Sequence, residues 1–312
     1  MKTELMSLTY KDQYDTKGYV IVRGLLTQSE IRHYTQQLEM LSGITRENYY
    51  NCKESLLTSA QQNALWDRVD GISQISEFWS LIFHKRLLSV VKELLGEKVC
   101  YLQHTDLLVG NSNFTWHRDN VHRVLGKGSD WEDSLTPYAL VRCAFYLQSY
   151  EESHFKLGLI PGSHRANKPV SLATKLSEAW VQIVRKLSYI NPSLQKWAKN
   201  AEWIKTEPGD CILFDPRLLH SGSSIIGPKY SMILAYGIEN VHYYNHYNYY
   251  RHMREDLALE DLPTELVTLL KTASLYPQQL PSYAYIPYTY SPSLIHKSVG
   301  LTGNKSQLRK NS

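Results

Sequence analysis

Cysteine is scarce in this sequence, and its four copies are far apart in the chain. Cys52, Cys100, Cys143 and Cys211 form no C-x-x-C pair. A disulfide framework is therefore not expected, and isolated thiols are typical of a reducing compartment. We expect a cytoplasmic protein.

Long apolar runs and strongly clustered charges are also lacking. No run approaches the roughly 18 apolar residues of a membrane-spanning helix, and the N-terminal MKTELMSLTYKDQYDTKG has no apolar segment typical of a signal peptide. The net charge is only +4, from 34 basic and 30 acidic residues. The one basic cluster is the tail 300–312, which we expect to be frayed. We therefore expect neither a nucleic acid nor a membrane as partner, and the oligomeric state stays open.

The chain is long enough and apolar enough for a large core. It has 312 residues, of which 43% are apolar, and we expect residues 1–299 to form a single domain. Tyrosine is abundant, with 23 copies that cluster at 242–250 and 284–294. Because tyrosine combines an apolar ring with a polar tip, these clusters either line a pocket or pack on the surface of an irregular C-terminal segment.

Helical patterns dominate the first hundred residues. After an early strand in GYVIVRGLL (18–26), apolar residues recur at helical spacing over 28–42, with Thr27 or Ser29 as the candidate cap. The segment 75–96 predicts a second helix or a helix pair that ends at a glycine. A final helix is expected over 256–272.

Strand patterns dominate the middle of the chain. The predicted strands, rich in β-branched and aromatic residues, are 99–109, 139–148, 211–214 and 230–238. Along the second of them, one face is apolar (Val141, Cys143, Phe145, Leu147) and the other is mixed (Leu140, Arg142, Ala144, Tyr146, Gln148). This alternation favours a sheet with one face on helices and the other lining a polar cavity.

A helical segment interrupts these strands. Residues 171–203 are mainly helical and amphipathic in pattern, and we interpret them as an insertion near a barrel mouth, with a possible role as a lid. The whole pattern predicts an α+β fold with a mainly β core: a double-stranded β-helix, or jelly-roll barrel similar to the cupins, with flanking and inserted helices.

The stretch FTWHRDNVHR (114–123) contains a candidate metal site. His117 and Asp119 are two residues apart, so on an extended segment their side chains point the same way. The best third ligand is His220, which follows the strand CILFD and is surrounded by small residues. Two imidazoles and one carboxylate form the facial triad of non-haem Fe(II) oxygenases. A second H-x-D pair, His104 and Asp106, is an alternative that spacing alone does not exclude.

Four segments in this order resemble the phytanoyl-CoA dioxygenase family of Fe(II)/2-oxoglutarate oxygenases, and the likeness covers residues 14–240. They are YDTKGYVIVRGLLTQSEI (14–31), TWHRD (115–119), FYLQSYEESHFKLGLIPGSH (145–164) and EPGDCILFDPRLLHSGS (207–223). The resemblance implies that His117, Asp119 and His220 bind Fe(II), with 2-oxoglutarate and O2 as cosubstrates.

The resemblance also places the other histidines. His104 and Asp106 fall on the strand before the metal motif, where they either line the cavity or form a hydrogen-bonded pair on the strand. We expect His122 at the rim of the site. His164, in the P-G-S-H turn, is expected to be structural and not a ligand.

The sequence departs from the family at the residue that holds the far carboxylate of 2-oxoglutarate. Members of the family usually have an arginine on the strand after the distal histidine, and here the matching residue is Lys229, with Ser231 facing the same interior. A Lys-x-Ser pair supplies a charge and a hydroxyl for a carboxylate. Two alternatives are Arg142 as the anchor, and a protein that does not use 2-oxoglutarate.

The activity implied by the resemblance is hydroxylation of a small organic metabolite, with release of succinate and CO2. Related halogenases lack the carboxylate ligand, so Asp119 favours hydroxylation. Desaturation, ring formation and epimerisation at the same iron centre stay open. The alternative is a non-catalytic or 2-oxoglutarate-independent metal-binding protein on the same fold.

Overall fold

Helices and antiparallel strands alternate along the part of the chain that the computed structural model describes, which is residues 9–56, 65–110, 116–132, 136–166, 171–254, 257 and 259–278. The helices are α1 Tyr10–Lys17, α2 Gln28–Ser42, α3 Tyr49–Leu56, α4 Gly71–Gln74, α5 Trp79–Ile82, α6 Lys85–Leu95, α7 Tyr150–Ser153, α8 Leu172–Ile190, α9 Val241–Asn248 and α10 Thr264–Thr272. The strands are β1 Tyr19–Val22, β2 Trp66–Val69, β3 Val99–Val109, β4 Leu140–Tyr146, β5 Lys156–Leu159, β6 Glu202–Lys205, β7 Cys211–Phe214, β8 His220–Gly222 and β9 Tyr230–Ile238.

The first two helices begin and end at local sequence signals. Thr9 caps α1 and Thr27 caps α2, each in a capping box with the acidic residue three positions later. Gly18 and Gly43 end the two helices in the left-handed conformation, which glycine adopts without steric cost. The prediction that Thr27 caps the helix over 28–42 is confirmed.

A six-stranded antiparallel sheet forms the larger half of the core. Its strand order is β1-β7-β4-β9-β3-β2, and β3, β7 and β9 have the bounds predicted from the sequence. The apolar face of β4, with Val141, Cys143 and Phe145, packs in the same buried cluster as residues of α2 and α6. One face of this sheet is therefore covered by helices, as the alternation along β4 indicates.

A three-stranded sheet, β6-β5-β8, lies against the other face of the large sheet. The two sheets share one apolar cluster, in which Ala144 and Tyr146 of β4 pack with Leu157 and Leu159 of β5. Two facing antiparallel sheets with helices on the outside are the jelly-roll arrangement, so the predicted fold class is confirmed.

The insertion is helical for only part of its predicted length. Residues 172–190 form α8 and 192–197 form a 3₁₀ helix, but 202–205 form the edge strand β6. The helical prediction was wrong for this last part because Leu157, Gly158 and Leu159 of β5 offer a strand with which 202–204 pair. The lid role stays a prediction.

The remaining sequence predictions concern the segment 75–96 and the C-terminal part of the chain. The predicted helix 75–96 is divided into a 3₁₀ turn at 76–78, α5 and α6, and the final helix begins only at Thr264. The tyrosine cluster 284–294 and the tail 300–312 lie outside the described residues. The cluster 242–250 forms α9 and the start of a π-helical turn, Tyr249–Met253. No helix within the described residues is both long and apolar enough to cross a membrane.

Candidate metal centre

His117, Asp119 and His220 lie together beside the interface of the two sheets. One ligand atom from each lies within 4.8 Å of the others. Nε2 of His117 is 3.6 Å from Oδ1 of Asp119, and Nε2 of His220 is 3.7 Å from Oδ2 of the same carboxylate. Within the described part of the chain, no other group of three histidine, cysteine or acidic residues converges in this way.

Backbone hydrogen bonds bring the two ligand segments together. The amide of His117 donates to the carbonyl of His220, and the amide of His220 donates back to His117, both at 3.0 Å. The amide of Asp119 donates to the carbonyl of Pro216 at 2.8 Å. Residues 116–120, the metal segment, thus join the small sheet beside β8 through a single bridge. Two segments about a hundred residues apart in the chain become neighbours in this way.

The second nitrogen of His220 fixes the orientation of its ring. Nδ1 lies 3.0 Å from the carbonyl of Leu218, so this nitrogen carries the proton and donates it. Nε2, which faces Asp119, then keeps its lone pair. Such a backbone partner on the outer nitrogen is typical of histidine ligands.

Electrostatics hold the trio in the protonation states that a cation requires. Burial alone raises the pKa of Asp119, but the neighbouring His220, Arg142 and His117 outweigh it and lower that pKa well below its usual range. Burial lowers the pKa of His220. The site therefore offers a carboxylate and, in His220, a neutral imidazole near neutral pH.

Arg142 lies beside this trio with its charge already paired. Its Nη2 contacts Oδ2 of Asp106 at 2.8 Å, and its Nε lies 3.5 Å from Oδ2 of Asp119. Nη1 donates to the carbonyl of His104. The side chain is buried, so Arg142 supports Asp119 from behind and bridges it to Asp106.

The alternative pair, His104 and Asp106, is near the trio but not part of it. Strand β3 has an irregular register between Leu102 and Asp106 where it pairs with β9, and bulges of this kind often adjoin functional sites. Asp106 binds Arg142, while the ring of His104 stacks on Tyr250 at 3.6 Å. His104 and Asp106 therefore adjoin the centre, and each is hydrogen bonded to a third residue, His104 to His246 and Asp106 to Arg142.

Two neighbours of the centre were missed in the sequence. Nε2 of His246 lies 2.9 Å from Nδ1 of His104, and the hydroxyl of Tyr250 donates to the backbone carbonyl of Asp119 at 2.9 Å. Both residues belong to the cluster 242–250, and their spacing of four is the signal that puts them on one helical face. This tyrosine cluster therefore adjoins the metal segment.

The rim position expected for His122 is wrong. His122 is buried, and its Nδ1 lies 3.3 Å from Oδ1 of Asp130, a carboxylate that also accepts from Asn120 and from the backbone of His122. A buried aspartate needs such donors, and they draw the histidine inward. His164 is buried next to Gly18 and is not one of the three converging donors, which agrees with a structural role.

Lys229 and Ser231 lie on the interior face of the large sheet, at the start of β9. Lys229 is only 3% exposed, and its ammonium lies 4.4 Å from the ring centre of Phe155 and 5.6 Å from that of Tyr146. Burial lowers the pKa of Lys229 to about 7. The hydroxyl of Ser231 is buried without a hydrogen-bond partner among the described residues. Lys229 is therefore a buried residue and not a solvated lysine of the turn that precedes β9.

Known proteins share this fold and parts of this sequence. Ectoine dioxygenase of Bordetella bronchiseptica is 24% identical over 238 residues, which is 72% of this chain and 72% of that protein. The crystal structure of HygX from Streptomyces hygroscopicus with nickel and 2-oxoglutarate bound is 18% identical, with a TM-score of 0.51, and covers 75% of this chain and 88% of its own. HygX with iron bound matches equally well.

The family is shown by a match that is longer than any single motif. The profile of the family described as phytanoyl-CoA dioxygenase (PhyH) matches residues 14–230, a range that contains the whole histidine–aspartate trio and Lys229. Fe(II), 2-oxoglutarate and O2 are the cofactors of this family, as the sequence predicts. The chain therefore belongs to the phytanoyl-CoA dioxygenase family of Fe(II)- and 2-oxoglutarate-dependent oxygenases.

Proposed function

We propose that this protein is an Fe(II)- and 2-oxoglutarate-dependent dioxygenase that hydroxylates a small organic metabolite and releases succinate and CO2. The observation that carries the proposal is the convergence of two imidazoles and one carboxylate within 4.8 Å. His117, Asp119 and His220 are the proposed ligands of the iron and the catalytic centre.

The donor set fits Fe(II). Two histidines and a carboxylate on one side of an ion leave the positions opposite them open. With 2-oxoglutarate and O2, the bound iron supplies the oxidising power that C–H hydroxylation requires. The protein holds the donors in place, through the His117–His220 backbone bridge and through Arg142 behind Asp119.

Lys229 and Ser231 are the proposed anchor for the far carboxylate of 2-oxoglutarate. Among the described residues, no charged neighbour offsets the effect of burial on the pKa of Lys229, and the hydroxyl of Ser231 lacks a hydrogen-bond partner. A buried cation without a counter-charge is costly, and a carboxylate from a ligand offsets that cost. Arg142 is a weaker candidate because Asp106 and Asp119 already balance its charge.

The residues favour one reaction and one size of substrate. Asp119 fills the position that halogenases of this type leave free, which supports hydroxylation. The sequence has no basic cluster suited to the phosphates of a CoA tail outside the terminal segment. We therefore favour a small metabolite over an acyl-CoA.

An anaerobic titration tests the proposal. We expect the iron-loaded protein to develop a visible charge-transfer band when 2-oxoglutarate is added, and to form succinate once O2 is admitted. A band without succinate would indicate a non-catalytic binding protein. Iron binding with neither band nor succinate would indicate a 2-oxoglutarate-independent metalloprotein, and no iron binding would contradict the proposal altogether.

The serine of the anchor provides a milder prediction. Ser231→Ala removes one hydrogen bond to a charged carboxylate, and we expect the KM for 2-oxoglutarate to rise about tenfold while the turnover number is unchanged. Steady-state succinate formation measures both. The matched control is Ser188→Ala, because that serine is also buried but bonds within α8. An equal KM for the two variants would remove Ser231 from the anchor.

A further inference from the structure

Arg118 stands between two proposed iron ligands but points away from the iron. Side chains on an extended segment alternate, so His117 and Asp119 face the metal side while Arg118 and its neighbour Trp116 face the opposite side. Arg118 is only 2% exposed. A buried guanidinium at this place needs partners, and these partners determine what the back of the metal segment rests on.

All five N–H groups of Arg118 find acceptors. Two of them donate to the carboxylate of Glu178 on α8, from Nη2 to Oε1 at 2.7 Å and from Nη1 to Oε2 at 2.9 Å. The other three donate to the backbone carbonyls of Arg217 at 2.7 Å, Ser163 at 3.2 Å and Arg123 at 3.4 Å. This complete set of planar donors is available only to arginine.

The same side chain connects the four segments around the centre. Arg217 precedes the distal histidine, Ser163 belongs to the P-G-S-H turn, and Arg123 follows the metal segment. Only Glu178 comes from the insertion, and only Glu178 brings a negative charge. The pair is bidentate and largely shielded from water, which makes it stronger and more directional than a surface ion pair.

Trp116 repeats this arrangement one position before His117. Its ring is fully buried in a cluster with Val181 and Val184 of α8. Its indole nitrogen donates to the carbonyl of Gln195, in the 3₁₀ helix that follows α8, at 3.0 Å. Trp116 and Arg118, whose side chains face away from the metal, are thus both packed against the insertion.

Glu178 makes the hydrogen bonds between the first half of α8 and the metal segment. None of residues 172–180 is buried, and the first fully buried side chain of the helix is Val181. Among the described hydrogen bonds and ion pairs of this half, the pair with Arg118 is the one that reaches the metal segment, and Trp180 adds apolar packing against the cluster that contains Trp116. Breaking the pair removes the hydrogen-bonded tie of the helix N-terminal half to the metal segment, while the packing of Trp180 stays.

We infer that the insertion is a brace for the metal segment, and that Glu178, through Arg118, is a positioning residue that holds His117 and Asp119 in their ligand geometry. The inference rests on the proposed function for the identity of the metal but not for the brace itself. It predicts that an open, movable lid is not the role of α8. Partners outside the ligand shell commonly change metal affinity by about 10- to 100-fold.

The test uses the full chain with Glu178→Gln, Glu178→Ala and, as a matched control, Lys175→Ala, an exposed charge on the same helix. Anaerobic Fe(II) affinity is measured by competition with a chromogenic chelator. Hydrogen exchange is measured on the iron-free proteins. We expect the alanine variant to bind Fe(II) about tenfold more weakly, the glutamine variant to lie between it and the wild type, and the control to match the wild type.

Hydrogen exchange separates a brace from a lid and from the proposed function. A brace requires faster exchange in both 172–180 and 116–120 when Glu178 is changed, whether or not iron binds. Faster exchange in the helix alone, or unchanged iron affinity in folded variants, would overturn the inference. A glutamine variant that does not fold would overturn it too, because the pair would then serve the whole fold. Failure of the wild type to bind iron would refute only the proposed function.

Discussion

His220→Ala is expected to abolish Fe(II) binding while leaving the protein folded. Losing a partner outside the ligand shell already costs about 10- to 100-fold in affinity, so losing a ligand should cost more than about 100-fold. The ring of His220 packs against Phe214 at 4.8 Å, but the backbone bridge to His117 does not need the imidazole. Anaerobic iron titration with circular dichroism measures both properties.

His104→Ala is the matched control for this experiment. His104 is also a buried histidine, and it contacts two neighbours of Asp119: its carbonyl accepts from Arg142, and its ring stacks on Tyr250. Its imidazole is not one of the three converging donors. We expect this variant to bind iron. Loss of iron from His104→Ala and retention by His220→Ala would reverse the assignment of the two pairs.

Much of the fold was predictable because local patterns and tertiary packing agree. The apolar residues of β4 face the helices, and its mixed face carries Arg142 toward the metal centre. The caps at Thr27 and Gly43 fix both ends of α2. At such positions the sequence chooses the element without help from distant residues.

The unpredicted parts depend on partners that are far away in the chain. Strand β5 is four residues long and exists as a strand because β6 and β8 lie on both sides of it. The pair of Arg118 and Glu178 joins positions 60 residues apart, and nothing in either local sequence indicates the other. His122 was misplaced for the same reason, because its partner Asp130 was not visible as a partner in the sequence.

The metal segment depends both on a local sequence pattern and on contacts with distant parts of the chain. Its H-x-D spacing indicates which side chains share a face, and the structure shows that His117 and Asp119 do so. The same alternation implies that the residues between and before them share the other face, where Trp116 and Arg118 meet the insertion. The segment that carries two ligands therefore also carries two residues that pack against the insertion. The sequence does not indicate this second role, because it depends on where α8 lies.

Lys229→Met is expected to separate cosubstrate binding from iron binding. Removing the charged partner of a buried carboxylate costs about 2–5 kcal/mol, so we expect the KM for 2-oxoglutarate to rise about 100-fold or more. Iron affinity should be unchanged, because Lys229 is not among the residues in contact with the trio. Lys229→Arg is the control, because it keeps the positive charge and changes only the shape of the side chain. If neither variant changes the KM, Arg142 becomes the anchor to test.

The pH dependence of the wild type follows from the same lysine. With its pKa lowered by burial to about 7, the free ammonium loses its proton as the pH rises through 7. Binding of 2-oxoglutarate requires the charged form, so its affinity should fall by up to about tenfold per pH unit above 7. The two rings that face the ammonium of Lys229 do not titrate near pH 7. Phe155 has no ionisable group, and burial raises the pKa of Tyr146 far above this range.

The gain in stability from Lys229→Met should also depend on pH, and it should be larger at low pH than at high pH. A buried lysine whose pKa falls from 10.5 to about 7 destabilises the fold by on the order of 5 kcal/mol while it is charged. This cost is present in full below pH 7 and disappears as the pH rises toward 10.5, because the unfolded chain then also loses the proton. Methionine avoids the cost, so thermal unfolding without cosubstrate should occur several degrees higher than in the wild type at pH 6, with a smaller gain at pH 9. A gain that is equal at both pH values would mean that Lys229 is not buried as a charge, and that it does not hold a place for a carboxylate.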